Sequence, residues 1–503
     1  LRWRRSIAFR RCVWSMLHTV PPRLGASNVY PPAASGQTDT GHQIVSTIAD
    51  IETDVVVCGA GIAGLVAART AQEAGAKIIL LEKADAAGGS AALSAGVLWT
   101  ASNLEAWLSV QPGGNPALGE ALVTTFPQAV DWLRSQGVEV EPFEFDTNGW
   151  QPSFAYIAYR LTPSATSENA RAAMTVLVDK LTDNGADIHL NTAVRSFHQD
   201  IDGQITGVEA VGPGGRIHVS ARATIMGTGG FQGNPELRAR YLGPFSDQMV
   251  LRGNPHSTGE GFQAALAVGA GQSGPFSRFY GHRVPAPPAE VGFHNFTKVH
   301  LGGALPGSIV VNRHGRRFAD ETLGDEVTVH DIPHQPDALA FLLYDDCDAR
   351  RDATRSDAVG NVRKAGGEIL KATTLEDLAQ VMAERWGVAR DSMLDELRDY
   401  NVAARAGDQH ILATPRCRDL REITEPPFRA IKFLAGITFT YGGVLINAQA
   451  QVLDSRGHPL AGLFAAGADA GGIYTFGYTG GLSLGLSFGR IAGQQAAAVA
   501  LTT

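Results

Sequence analysis

Short apolar runs closed by glycine alternate along this chain with stretches of helical period. Asp54-Val55-Val56-Val57-Cys58 is apolar almost throughout, as a strand covered on both faces must be. Gly59-Ala60-Gly61-Ile62-Ala63-Gly64 follows at once, and Ile62, Leu65 and Val66 then share one face of a helix that stops at Gly75. Lys77–Glu82 is a second buried strand ending in an acid. The pattern predicts a βαβ unit of about 30 residues.

Further on, residues 185–226 read as a small antiparallel meander, with turn signals at Asp202-Gly203 and Gly212–Gly215. Its last strand, Ala223–Met226, runs into Gly227-Thr228-Gly229-Gly230, and Thr258-Gly259-Glu260-Gly261 opens a small-residue helix to about Ala270. From 276 to 431 Pro285, Pro287, Pro288, Pro306, Pro333 and Pro336 break up the chain, and charged helical stretches are expected at 337–352 and 375–406. The glycine-rich texture resumes with Gly442-Gly443, a hairpin through Asp454–Gly457, a strand at Leu463–Gly467 and a final helix from Gly481 to Leu501. The expected organisation is an arm at 1–50, a first nucleotide-binding part at 51–275, an inserted capping domain at 276–431, and a second nucleotide-binding part at 432–503.

Composition narrows the partners. Gly makes up 58 of the 503 residues with no G-x-y period, so the glycines serve turns and close backbone approaches. A net charge of −8 offers no field for a polyanion, so nucleic acid is excluded as a partner. Six arginines and no acid fall between residues 1 and 38, which leaves the rest more acidic than the whole. This Arg-rich segment has the composition of a transit peptide, Arg4-Arg5 hints at a twin-arginine signal, and Met16 offers an internal start. The expectation is a disordered or over-extended terminus on a cytoplasmic protein, with export or organelle targeting left open. Four widely spaced cysteines without C-x-x-C argue against disulfides, a redox dithiol and zinc, and no metal site is expected. No run approaches the apolar length of a membrane span.

The glycine motif carries the chemistry. It lies between a buried strand and a helix, with Glu82 eighteen residues beyond Gly64, the context a dinucleotide needs. Gly59 allows the tight turn, and Gly61 lets the backbone reach a pyrophosphate at the positive end of the helix. Gly64 permits close helix–strand packing. Glu82 accepts from ribose hydroxyls and repels a 2′-phosphate, which disfavours NADP. A long flavin ligand also needs distant contacts, and Gly88-Gly89-Ser90 and Leu463–Asp469 supply candidates; Asp469 is placed for ribitol hydroxyls or serves as a turn acid.

Asp54–Glu82, Gly88–Trp99, Gly227–Phe231, Gly315–Glu321 and Gly442–Gly493 together resemble the FAD-dependent family of fumarate reductase flavoproteins, 3-ketosteroid Δ1-dehydrogenases and tricarballylate-dehydrogenase-like enzymes. The resemblance implies an α/β fold, a Rossmann-like FAD domain with an inserted α+β cap, and a substrate oxidised or reduced across a C–C bond. It places Gly59, Gly61, Ile62, Ala63, Gly64, Glu82, Lys83, Gly89, Ser90, Gly96, Gly229 and Asp469 along the cofactor. The covalent branch uses a histidine before the early glycine pair. Lys83–Gly88 has none, so non-covalent FAD is expected.

Such chemistry needs a carbon facing the flavin, a base for the neighbouring proton and a donor for the developing enolate. The fumarate-reductase branch carries an arginine where this chain has Asp325, a histidine pair where it has Thr438–Tyr441, and an arginine where it has Tyr478 or Thr479. A C4 dicarboxylate is therefore not the expected substrate. Tyr478-Thr479-Gly480-Gly481 resembles the Tyr-Pro-Gly element of the ketosteroid branch, which suggests that the Tyr478 hydroxyl and Gly481 N–H polarise a substrate carbonyl; a core tyrosine is the alternative. Tyr280, His282, Arg283 and Tyr441 are candidate proton carriers, with His282 and Tyr441 leading. The expected activity is an FAD-dependent dehydrogenase or reductase acting beside a carbonyl or carboxylate, with a separate electron acceptor or donor. An organic-acid C=C reductase and a non-redox flavin protein are the alternatives.

Overall fold

The computed structural model describes residues 49–145, 154–162, 167–292, 295, 299, 307–346 and 359–502. Residues 1–48 of the arm expected at 1–50, with its targeting signals, lie outside them. The first strand starts at Ala49 rather than near Glu52, because its pairing with the strand Gly215–Met226 already begins at Ala49 opposite Ile217.

Two large sheets organise the chain. In the first, the strands Pro459–Ala465, Gly215–Met226, Ala49–Cys58, Ile78–Leu81 and Asp187–His189 lie side by side in parallel. Val55–Cys58 and Leu80 are wholly inaccessible, as their unbroken apolar runs required. The strands Ala193–Gln199 and Ile205–Gly212 complete the expected meander, antiparallel to Gly215–Met226. The helix Ile62–Glu73 follows the first strand, and the last helix, Gly481–Thr502, packs against it. Gly485, Gly489 and Gly493, four apart, flatten the contact: a Cβ at Gly493 would lie 2.4 Å from the Ala67 carbonyl.

The second sheet is built on one long strand, Phe428–Thr440. It takes Ala340–Tyr344, Ile369–Ala372 and Phe279–Pro285 as antiparallel neighbours and Val250–Leu251 as a parallel one. Its outer face packs on the helices Leu375–Trp386 and Arg390–Ala406 through Phe341, Met382, Trp386, Leu397 and Tyr400. Thr374 caps the first of these helices, and Gly387 and Gly407 end the two in left-handed conformation.

Two sequence expectations are corrected here. The helix expected from 337 is the strand Ala340–Tyr344, whose five residues are all buried. Asp337 and Ala338 adopt positive φ just before it, which breaks any helix, and a strand lying between two others needs an apolar run. The long strand also passes unbroken through the boundary placed at 431, and Val250–Leu251 from the first part pairs with it. The return to the first sheet therefore shares the backbone of the second. Among the described residues no helix is long and apolar enough to cross a membrane.

Candidate active site

A long cavity runs along the carboxyl ends of the first sheet, from Glu82 and Lys83 at one end to Tyr280, Phe439 and Tyr478 at the other. Gly59, Gly61, Ile62, Ala63, Gly89, Ser90, Gly229 and Gly481 line it too. The three motif glycines divide the labour. A Cβ at Gly59 would lie 2.3 Å from the Gly227 carbonyl oxygen, and one at Gly64 would lie 1.8 Å from that of Gly59. A Cβ at Gly61 meets nothing within 4 Å. Gly64 is thus a packing glycine outside the lining, as close helix–strand contact demands. The helix Ile62–Glu73 has no side-chain cap and no acid in its first turn, so its positive end is left for a ligand.

Glu82 is held by its neighbours: Ala60 N–H donates to one carboxylate oxygen at 2.7 Å and Ala84 N–H to the other at 2.8 Å. Lys83 reaches across to Glu260 and the Thr258 hydroxyl, both at 2.5 Å. Two expected contacts are corrected. Asp469 does not face the cavity; its carboxylate accepts from the N–H groups of Thr228, Gly229 and Gly230 and from the Thr228 hydroxyl, between 2.5 and 3.1 Å. It fastens the turn after one parallel strand to the turn after its neighbour, and Ala466–Ala468 beside it line the cavity instead. Gly96 lies outside the lining as well, its carbonyl accepting from Leu161 N–H to extend the small sheet there.

At the far end Tyr478 and Tyr280 stack, with ring centroids 3.7 Å apart. Gly481 N–H donates to the Tyr478 oxygen at 2.8 Å. The expected arrangement, with both groups aimed at a substrate carbonyl, is therefore not present: one donor is spent on the other. A bulge in the pairing of Phe279–Pro285 with the long strand gives the latter an extra residue, Thr438, which joins the cavity wall. His282 stands behind Tyr280, its Nε2 at 3.0 Å from the Tyr280 hydroxyl. Tyr441 is displaced from its expected place: it lies just past the end of the long strand, buried behind Phe439 and Tyr474 and outside the lining.

Charge is concentrated behind this wall. Burial alone would raise the Asp325 carboxyl, but the Arg283 guanidinium and His282 outweigh it and hold it far below the carboxylate range. Next to it, burial and then the Asp325 charge push Glu326 up to about 8, against Arg252. Arg252 is buried, donates to the Thr438 hydroxyl at 2.9 Å, and has its pKa drawn down by desolvation. Burial raises both Tyr280 and Tyr478, which stay neutral. Arg252 and Glu326 escaped the sequence reading because neither sits in a motif. Only the pairing of Val250–Leu251 with the long strand brings Arg252 to this wall.

The family described as FAD binding domain matches residues 54–484. The chain belongs to that family. This flavoprotein is 28% identical over 469 residues to the fumarate reductase (cytochrome) of Shewanella frigidimarina, covering 88% of this chain and 77% of the other. It is 27% identical over 482 residues to the urocanate reductase of Eggerthella lenta, covering 89% and 75%. Its fold matches that of the 3-ketosteroid-Δ4-(5α)-dehydrogenase of Rhodococcus jostii RHA1, with a TM-score of 0.69 at 23% identity, over 90% of this chain and 98% of that one.

The cavity suits FAD. The open space at Gly61 before an uncapped helix would take the pyrophosphate on the N–H groups of Ile62 and Ala63. Glu82 would accept from the adenosine ribose. Ser90, Gly229 and the start of the last helix, where Leu482, Leu484 and Gly485 line the wall, would border the flavin portion. The buried Gln232 amide oxygen, without a partner among the described residues, lines the same space.

Proposed function

We propose that this flavoprotein moves hydrogen across a C–C bond next to a carbonyl, in the manner of a ketone dehydrogenase. The observation that carries this reading is the stacked Tyr280–Tyr478 pair at the end of the cavity remote from Glu82. Two neutral phenols at an aromatic wall hold a proton at a carbon without the cost of a buried charge. Bound FAD supplies a two-electron acceptor for hydride. Tyr478, exposed to the cavity, takes or returns the proton of the neighbouring carbon, and Phe439 packs the pair from one side. The second sheet and its two helices form the cap that excludes water from this end. The electron partner is a separate molecule.

An organic-acid C=C reductase is the second reading. It is favoured by the names of the two reductase relatives and by Arg252, a buried cation beside the tyrosine pair.

Anaerobic titration of the yellow protein with a panel of cyclic ketones, ketosteroids and carboxylic acids tests these readings. Bleaching of the flavin band by a saturated ketone is expected. Tyr478→Phe should slow that bleaching on the order of 10²-fold or more with FAD content unchanged. Bleaching of dye-reduced flavin reversed only by enoates would favour the second reading, and an unchanged rate in the variant would remove Tyr478 from the chemistry.

A further inference from the structure

Behind the tyrosine pair, polar side chains from three separate segments meet end to end. The Tyr478 and Tyr280 rings stack with centroids 3.7 Å apart and planes within 13°, which sets their hydroxyls beside each other. The Tyr280 hydroxyl lies 3.0 Å from His282 Nε2, and His282 Nδ1 lies 2.8 Å from Asp325 Oδ2. Tyr280 and His282 occupy one side of their strand, with rings 5.2 Å apart.

The order of protons along this chain follows from its ends. Asp325 Oδ1 already accepts from the Arg283 backbone N–H at 2.9 Å and from its Nε at 2.8 Å. The carboxylate is ionised, so Oδ2 accepts and the imidazole proton sits on Nδ1. When the ring is neutral, Nε2 presents a lone pair and Tyr280 donates to it. At the other end Gly481 N–H donates to the Tyr478 oxygen; with the Tyr280 proton directed to Nε2, the Tyr478 hydroxyl is the one of the stacked pair left to donate toward its neighbour. Every hydroxyl and ring proton in the chain points away from the cavity and toward Asp325.

We propose that His282, paired with Asp325, is the proton sink of the reaction. The C–H bond beside the carbonyl breaks and its proton goes to the Tyr478 oxygen. Tyr478 passes its own proton to Tyr280, and Tyr280 passes its proton to Nε2. The C–H electron pair becomes the new C=C bond as the adjacent carbon gives hydride to oxidised FAD. The enzyme is left with reduced flavin and an imidazolium on Asp325, and both tyrosines are neutral again. Asp325 is a positioning residue that selects the tautomer and stabilises the cation. The other charged and titratable groups facing the dyad are Arg283 on the same strand, Glu326 on the turn of Asp325, and Arg252 from the Val250–Leu251 strand.

The proposal rests on the C–C reading above, and two measurements separate their fates. Histidine-selective ¹⁵N NMR of the FAD-loaded protein, with His282→Gln to assign the signal, should show Nδ1 protonated and Nε2 bare. Asp325→Asn should invert this, because its amide donates to Nδ1. With whichever ketone bleaches the wild-type flavin, Asp325→Asn and Tyr280→Phe should each lower kcat on the order of 10²–10⁴-fold with KM within about threefold. Asp325→Asn should also move the acid limb of the kcat profile to lower pH, and Tyr280→Phe, which keeps the ring stack, should abolish that limb. A protonated Nε2 in the wild type, or a wild-type rate and acid limb in both variants, overturns the relay alone. Absence of bleaching by every ketone overturns the C–C reading and the relay with it.

Discussion

Replacing Gly61 by valine separates ligand binding from folding within one motif. Gly61 has φ −75° and ψ 179°, extended backbone that any residue adopts, and a Cβ there meets nothing within 4 Å. The flavin-free protein should therefore keep its stability within about 1 kcal/mol, the ordinary range for an open site at a helix start. Gly59→Ala is different. Its φ of +101° strains an L-residue, and the new methyl would sit 2.3 Å from the Gly227 oxygen. Backbone strain of about 1–3 kcal/mol and overpacking of similar size give a loss of roughly 2–6 kcal/mol. FAD should respond in the opposite order. Valine at 61 stands before the helix end, forfeiting an anion–helix interaction of about 0.3–2 kcal/mol and adding overlap of about 1–3 kcal/mol. At about 1.4 kcal/mol per decade, affinity should fall roughly tenfold to several thousandfold. Urea unfolding of the deflavinated variants and fluorescence titration with FAD measure the two effects. If Gly61→Val unfolds as early as Gly59→Ala, or binds FAD like the wild type, the open space at Gly61 is not the pyrophosphate cradle.

Three further outcomes follow from the same geometry. Asp469→Ala would leave three N–H groups and a hydroxyl without their acceptor, so it should cost about 3 kcal/mol or more in urea unfolding and loosen FAD only as a consequence. Glu326, with its folded-state pKa raised to about 8, binds a proton that the unfolded chain releases near 4.3. Stability should therefore fall as pH rises between those values, and Glu326→Gln should flatten that decline in urea midpoints taken at pH 5 and 8. Acid precipitation should leave the yellow colour in the supernatant, since no histidine stands between Lys83 and Gly88; yellow pellets would show a covalent link.

The nucleotide end of this protein was legible in its sequence because its signals are local. A buried strand, three glycines and an acid at set spacing specify a βαβ turn, and the glycine rows of the last helix follow the same short-range logic. What depended on neighbours far along the chain was not legible. Ala340–Tyr344 reads as part of a charged helix until the long strand beside it is seen to need a buried partner. Asp469 reads as a ligand for ribitol, yet the strand that ends at Met226 brings three backbone donors to it first. Tyr441 and His282 both read as proton carriers, but the chain buries one behind Phe439 and Tyr474 past the long strand's end and sets the other against Tyr280. The chain of Tyr478, Tyr280, His282 and Asp325 joins positions nearly two hundred residues apart, and no local pattern encodes it. Period and spacing determine which backbone turns form. Which polar groups meet is decided by how the long strand Phe428–Thr440 gathers segments from distant parts of the chain, because hydrogen bonds and desolvation act only between groups the fold has already placed in contact.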